Sequence, residues 1–166
     1  DVEAFHNTLA SCPEGNHQCY VPLLPATLLR VPREQLLQQL PEGMKPDRVM
    51  IRIDEQFLCG DPSALLAPLV SLGQMGVQSV IEVSDFGKTC LESVVLLGPS
   101  QVRIASERVR GVSKHAGART TLARFVRVCT SLGVQVVAAG LDSHADVDLV
   151  RRMGVTFGNG HAIGLL

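Results

Sequence analysis

The stretch Val77-Gln78-Ser79-Val80-Ile81-Glu82-Val83-Ser84-Asp85-Phe86-Gly87 decides the fold of this chain. Its first part is rich in β-branched and apolar residues, which predicts a buried strand. The run stops at a carboxylate, Asp85, with Gly87 close behind it. Proteins built from alternating strands and helices usually carry their functional groups at the carboxyl ends of the strands. We therefore expect a functional region at Asp85.

Apolar runs of strand length recur along the whole chain, beginning near positions 18, 49, 77, 102, 134 and 155. Helical patterns fill most of the intervals, and this alternation predicts an α/β fold with a parallel sheet. The runs are apolar on both faces, as in sheets that are covered on both sides. Periodicity alone does not distinguish a closed TIM-type barrel from an open, doubly wound sheet.

Local signals place three of the helices. Residues 120–132 carry apolar side chains at the i, i+3 and i+4 positions of an amphipathic helix. A helix over residues 62–72 begins after Asp61, and Pro68 is expected to kink it. Ser143 and Asp146 have the spacing of a capping box, with Asp in place of the usual Glu or Gln.

The composition excludes several functional classes. The chain has 166 residues, 46% of them hydrophobic, which is typical of a folded domain with a sizeable core. A net charge of −1 gives no general attraction for nucleic acid polymers or anionic lipids. Aromatic residues make up only 4%, which argues against a stacking platform for single strands. No apolar run approaches the ~18 residues of a membrane span, so we expect no direct membrane insertion.

The cysteines Cys12, Cys19, Cys59, Cys90 and Cys129 are odd in number and scattered. They lack the CxxC spacing that is typical of cysteine metal sites. We therefore expect reduced core thiols in a cytosolic protein.

Five segments resemble, in the right order, the motifs of EAL domains, which are bacterial hydrolases of the second messenger cyclic di-GMP. Residues 46–55 resemble a Pro-Asp-Arg turn followed by the Leu-Glu-Leu-Glu-Ile-Thr-Glu strand, and residues 84–87 resemble Asp-Asp-Phe-Gly. Residues 102–105 stand in the place of Leu-Lys-Ile-Asp, residues 137–143 in that of Val-Ala-Glu-Gly-Val-Glu-Thr, and residues 153–161 in that of the Gln-Gly-Tyr segment.

This resemblance implies a TIM-type (β/α) barrel of the EAL kind with its site at the carboxyl ends of the strands. The barrel is expected to be incomplete at the N-terminus, because the Glu-Ala-Leu strand would lie upstream of Asp1. We expect residues 1–166 to form a single domain of a longer protein. Its open sheet edges would favour a homo-oligomer or a neighbouring domain of the same chain.

The resemblance also implies one or two divalent metals, Mg²⁺ or Mn²⁺, held by carboxylates. The sequence departs from the family pattern at the corresponding positions, which are Pro22 for Asn, Arg52 for Glu, Ser84 for Asp, Arg103 for Lys, Ala105 for Asp, Ala139 for Glu and Asn159 for Gln. We expect no metal, no cofactor and no catalytic residue. Arg52 would bring a permanent cation to the site and pair with Asp85 or Glu55.

The remnants of the family site that could still bind a ligand are Asp85, Arg103, Asp142 and Asn159. Three of them have a second interpretation. Asp85 could instead pair with Arg52 or Arg103, Arg103 could form an ion pair rather than hold a phosphate, and Asp142 could cap the following helix. A basic cluster formed by Arg108, Arg110, Lys114 and Arg119 is either a solvated face or a docking site for an acidic partner.

The sequence therefore predicts a catalytically inactive EAL-like domain in the bacterial cytoplasm. It would act as a protein-interaction or regulatory module in signalling, with a protein partner or with other domains of its own chain. The alternative is a metal-independent receptor for cyclic di-GMP, which is not the favoured ligand because several of the altered positions also line the nucleotide. An active phosphodiesterase is the least favoured interpretation.

Overall fold

The computed structural model describes residues 2–13, 15, 17–58 and 60–163. Helices and strands alternate along most of these residues. The strands are β1 (Cys19–Pro22), β2 (Val49–Asp54), β3 (Gln78–Val83), β4 (Gln101–Ile104), β5 (Gln135–Ala138) and β6 (Phe157–Gly158). The α-helices are α1 (Val2–Ala10), α2 (Pro25–Arg30), α3 (Arg33–Leu37), α4 (Leu66–Gln74), α5 (Lys88–Leu97), α6 (Ser106–Val109), α7 (Ala116–Ser131) and α8 (His144–Arg152). None of the helices in the described residues is long and apolar enough to cross a membrane.

The chain divides into two compact units, residues 1–80 and residues 81–166, and strand β3 runs across the boundary. In the first unit the strand order is β1-β2-β3, and β1 pairs with β2 in parallel, with Val21 opposite Ile51. In the second unit the order is β3-β4-β5-β6. There β4 pairs with β5, and β5 with β6, again in parallel. The parallel sheet expected from the sequence is confirmed.

The strands form where β-branched and apolar residues cluster, because these side chains are removed from water on both faces of the sheet. Val49, Ile51 and Ile53 of β2 are buried in the first unit, as are Val102 and Ile104 of β4 in the second. The sequence suggested that the last strand begins near Val155, but in the structure it begins at Phe157. The backbone N–H of Val155 donates to the carbonyl of Val150, so this residue still belongs to the turn that ends α8.

Two prolines lie in the first turns of helices. Pro25 is the first residue of α2, where its missing N–H is not needed. Pro68 was expected to kink a helix. Instead the segment begins with a 3-10 turn at Pro62–Leu65, and α4 starts anew at Leu66. Pro68 therefore lies in the first turn of α4, where the backbone N–H groups have no partner within the helix.

The prediction that all cysteines are reduced is wrong for two of them. Cys12 and Cys19 form a disulfide that joins the turn after α1 to the start of β1. The chain folds back between them, which brings their Cα atoms to 6.0 Å, within the normal range for a disulfide. Cys90 and Cys129 are free and buried, as expected. Cys59 lies outside the described residues.

Candidate functional site

The second unit brings together the strand ends to which the sequence assigned the site. Beyond the regular strands, the N–H of Ala105 donates to the carbonyl of Val83, and the N–H of Ala139 donates to that of Ile104. Each of these residues therefore continues the sheet by one position. Asn159 follows in the same way, because its N–H donates to the carbonyl of Ala138. Ala105, Ala139 and Asn159 of the second unit thus lie at the carboxyl ends of its parallel strands, where a functional site is expected.

Arg103 of β4 forms an ion pair with Glu82 of β3. One guanidinium nitrogen donates to a carboxylate oxygen of Glu82, and the two side chains are only 20% and 18% exposed. The two charges neutralise each other across neighbouring strands. Of the two interpretations left open by the sequence, the structure therefore shows Arg103 in an ion pair, although with a partner that the sequence had not suggested.

Asp85 lies at the mouth of the site and pairs with Arg108 of α6. The guanidinium Nη2 of Arg108 is 3.3 Å from Oδ1 of Asp85, and its Nε donates to the carbonyl of Ser84. The same guanidinium lies 5.9 Å from the centre of the Phe86 ring. That ring in turn packs 4.6 Å from the ring of Phe125 on α7. Arg108 is therefore one partner of Asp85, and it is a partner that the sequence had not suggested.

Asp142 follows β5 and links two loops. Its Oδ2 accepts from Nε of Arg110 at 2.9 Å, and its Oδ1 lies 2.9 Å from Nδ1 of His161. The hydrogen bonds from His161 and Arg110 lower the pKa of the Asp142 carboxyl below its usual value. The sequence suggested that Asp142 and Ser143 cap α8. The structure assigns the cap to Ser143, whose hydroxyl accepts from the N–H of Asp146.

Asp146, in the first turn of α8, is a buried carboxylate whose tertiary contacts the sequence did not predict. Only 2% of it is exposed, and it accepts hydrogen bonds from the N–H groups of Gly111 and Ser113 and from the hydroxyl of Ser143. Burial alone would raise the pKa of this carboxyl, but the hydrogen bonds outweigh burial and lower it. The capping-box spacing predicted its place in the helix. Its bonds to the loop after α6 could not be predicted from a local sequence pattern, because that loop lies more than thirty residues away in sequence.

Asn159 is exposed, and its described bonds are those of its backbone. Next to it, Gly160 has a φ of +152°, and a Cβ built there would lie 2.3 Å from the backbone nitrogen of Leu141. A side chain does not fit at this distance, so only glycine is accommodated. This glycine therefore serves the close approach of two backbone segments.

The residues present do not fit a divalent metal of the kind that the family binds. Hard cations require several oxygen ligands that converge on one point. The described residues contain no group of three or more His, Cys, Asp or Glu side chains placed to hold a metal ion. In the second unit Ala105 and Ala139, which stand where the family motifs have carboxylates, offer no side-chain oxygen, and Arg103, in place of the motif's lysine, is a cation. In the first unit Pro22 ends β1, and Arg52 is half-buried in β2. The predicted pairing of Arg52 with Asp85 or Glu55 stays a prediction.

Several solved structures share this fold. Klebsiella pneumoniae BlrP1, in complex with calcium and cyclic di-GMP, is 25% identical with a TM-score of 0.79, over 96% of this chain and 41% of that one. The phosphodiesterase PaMucR, in complex with cyclic di-GMP, is 20% identical with a TM-score of 0.77, over 99% of this chain and 68% of that one. A standalone EAL protein from Vibrio cholerae O395, also bound to cyclic di-GMP, is 14% identical with a TM-score of 0.80, over 96% of this chain and 70% of that one.

The fold is therefore the incomplete TIM-type barrel of the EAL kind, as the sequence predicted. The chain spans about two fifths of the length of BlrP1. Among curated proteins, none matches the sequence significantly. The family match itself covers residues 2–165, nearly the whole sequence. The chain belongs to the EAL domain family.

Proposed function

We propose that this EAL domain does not hydrolyse cyclic di-GMP and acts instead as a regulatory module that docks a protein partner or another domain of its own chain. The relatives suggest a role in bacterial second-messenger signalling, and we place the protein in the cytoplasm. The observation that carries the proposal is the ion pair between Arg103 and Glu82.

Arg103 stands where the family motif has its lysine, and its charge is already compensated by a neighbouring strand. A guanidinium held in this way is not available as an isolated cation for a phosphodiester. The arginine is permanently protonated and cannot serve as a metal ligand, and the glutamate already gives one of its oxygens to the arginine. The pair therefore supports a site in which an internal ion pair stands in place of the groups that catalysis requires.

Two further acidic groups that follow strands of the second unit are also bonded to cations of that unit. Asp85 pairs with Arg108, and Asp142 pairs with Arg110. These two arginines are 45% and 64% exposed, which leaves part of each guanidinium open to solvent. Arginine is enriched at protein interfaces because its planar head binds carboxylates in a defined orientation. An acidic surface on a partner would therefore complement this side of the domain.

The second candidate is a receptor that binds cyclic di-GMP without a metal. It is favoured by the same exposed arginines, which could bind the phosphates of a dinucleotide. It is also favoured by the structural relatives, which were solved with cyclic di-GMP bound. In this case Arg110 would be a ligand-binding residue, whereas Arg127 on the exposed face of α7 would not.

We expect no conversion of cyclic di-GMP to the linear dinucleotide in the presence of Mg²⁺ or Mn²⁺, because the described residues lack a carboxylate cluster for the metal. The measurement is chromatographic separation of the nucleotides after incubation with the protein. A buffer blank and a sample with chelator are the controls. Turnover above the blank that disappears with chelator would contradict the proposal.

Binding is measured separately by calorimetric titration with cyclic di-GMP, with and without Mg²⁺. The interaction module predicts no saturable binding in either condition. The receptor predicts the same affinity with and without Mg²⁺. Arg110→Gln should then weaken that affinity roughly tenfold, because about one charge-assisted hydrogen bond is lost. The matched variant Arg127→Gln would leave that affinity unchanged.

A further inference from the structure

A cavity of about 420 Å³ lies in the first unit, next to the disulfide. It is bounded by Leu9 from α1, by Cys12 and Pro13 from the turn that follows, and by Met44 and Lys45 from the segment before β2. Arg48 also lines it. Cys12 is thus part of the wall of the cavity, and the covalent bond to Cys19 holds that part of the wall to β1.

Two kinds of bond fasten this wall. The first is the disulfide itself. The second comes from Arg48, whose Nε donates to the carbonyl of His17 at 3.0 Å and whose Nη2 donates to that of Pro13 at 2.7 Å. Arg48 binds the main-chain oxygens of Pro13 and His17, so both hydrogen bonds depend on where the chain holds these two residues. If the disulfide opens, these two hydrogen bonds, which lie at the exposed surface, remain.

The disulfide is placed where a reagent can reach it. Cys12 is half-buried, and Ser11, Pro13, His17 and Gln18 around it are exposed, whereas Cys19 is buried. Cys12 is therefore the more exposed of the two cysteines and the one that an incoming thiolate is expected to attack. The free cysteines among the described residues differ in this respect. Cys90 and Cys129 are buried, and burial raises the pKa of the Cys129 thiol to about 11, which keeps it protonated and unreactive.

We propose that Cys12 and Cys19 form a reversible thiol–disulfide modification site that controls the wall of the 420 Å³ cavity. The co-reactant is a small thiol of the glutathione class. A thiolate attacks one sulfur of the disulfide, forms a mixed disulfide and releases the second sulfur as a thiolate. A second small thiolate resolves the mixed disulfide. Two electrons pass to the cysteine pair, the oxidised small disulfide leaves, and both cysteines take up a proton from water.

The first test is a redox titration of the whole chain in glutathione buffers, without denaturant. Free thiols are trapped with an alkylating reagent at each ratio of reduced to oxidised glutathione and located by peptide mass spectrometry. We expect Cys12 and Cys19 to pass together from blocked to alkylated within the range of ratios that cells maintain. A pair that stays oxidised even in pure reduced glutathione, or that stays reduced in pure oxidised glutathione, would overturn the proposal.

The second test asks whether the redox state reaches the cavity wall. The N–H groups of Ser11 and Cys12 donate to carbonyls of α1, so their hydrogen exchange reports the order of this turn. We expect several-fold faster exchange in the peptide covering residues 9–21 after reduction, with no change in peptides from α7. The double variant Cys12→Ser, Cys19→Ser should show the fast rate at every glutathione ratio. The matched variant Cys129→Ala should respond as the wild type does.

Equal exchange in the oxidised and reduced protein would show that the disulfide does not control the wall, and it would refute the proposal. The double variant is checked for folding by its circular dichroism. If it does not fold, the wild-type comparison in the two redox states still decides the question, because it needs no substitution.

Discussion

Replacing Arg103 with methionine is expected to lower the free energy of unfolding by about 3 kcal/mol. The substitution keeps much of the volume of the side chain but removes the charge that faces Glu82. The carboxylate is then left mostly buried without this partner, and breaking a buried ion pair from one side costs about 3–5 kcal/mol. We take the lower end of this range because the side chains are 20% and 18% exposed and water can partly solvate the remaining charge.

A double-mutant cycle separates the ion pair from ordinary packing. Glu82→Met combined with Arg103→Met removes both charges, and we expect the double variant to recover most of the stability lost in either single variant. Lys88→Met is the matched control, because Lys88 pairs with Glu92 on the exposed surface of α5. That substitution should change the stability by less than about 1 kcal/mol. Additive losses in the cycle, measured by urea unfolding, would show that Arg103 and Glu82 are not energetically coupled.

Asp146→Ala should have an effect of similar size, a loss of about 3 kcal/mol. The carboxylate accepts from two backbone N–H groups, those of Gly111 and Ser113, and leaving each partly buried donor unsatisfied costs about 1–3 kcal/mol. Asp148→Ala is the matched control on the same helix, because Asp148 is exposed. A denaturation midpoint that is the same for both variants would mean that Asp146 does not hold the loop.

The same carboxylate predicts a dependence of stability on pH. The pKa of Asp146 is lowered in the folded chain from its ordinary value of 3.8, so folding is favoured by its ionised form. Its contribution is fully present above the unfolded pKa, near pH 4, and is lost as the pH falls through the lower folded pKa. Asp142 adds a contribution of the same sign, because its pKa is also lowered. Unfolding curves measured between about pH 6 and about pH 3, which spans this ordinary value, should therefore show a smaller loss of stability for Asp146→Ala than for the wild type.

The order of strands and the family were determined at the level of sequence. Apolar runs such as that around Val80 form strands because of their local residue types, and the order of the motifs from residue 46 to residue 161 then excludes the doubly wound alternative. The substitutions at Ser84, Ala105 and Ala139 were equally visible, since the loss of a carboxylate is a property of the residue itself. For these features no knowledge of distant contacts is required.

The tertiary structure alone decided which groups meet. Arg103 lies 21 positions from Glu82, and Arg110 lies 32 positions from Asp142, so no local pattern links them. Their pairing follows from the register of neighbouring strands and from the path of the loops, which depend on how the whole core packs. The disulfide has the same origin. Cys12 and Cys19 are close in sequence, but only the return of the chain from α1 to β1 brings them within bonding distance.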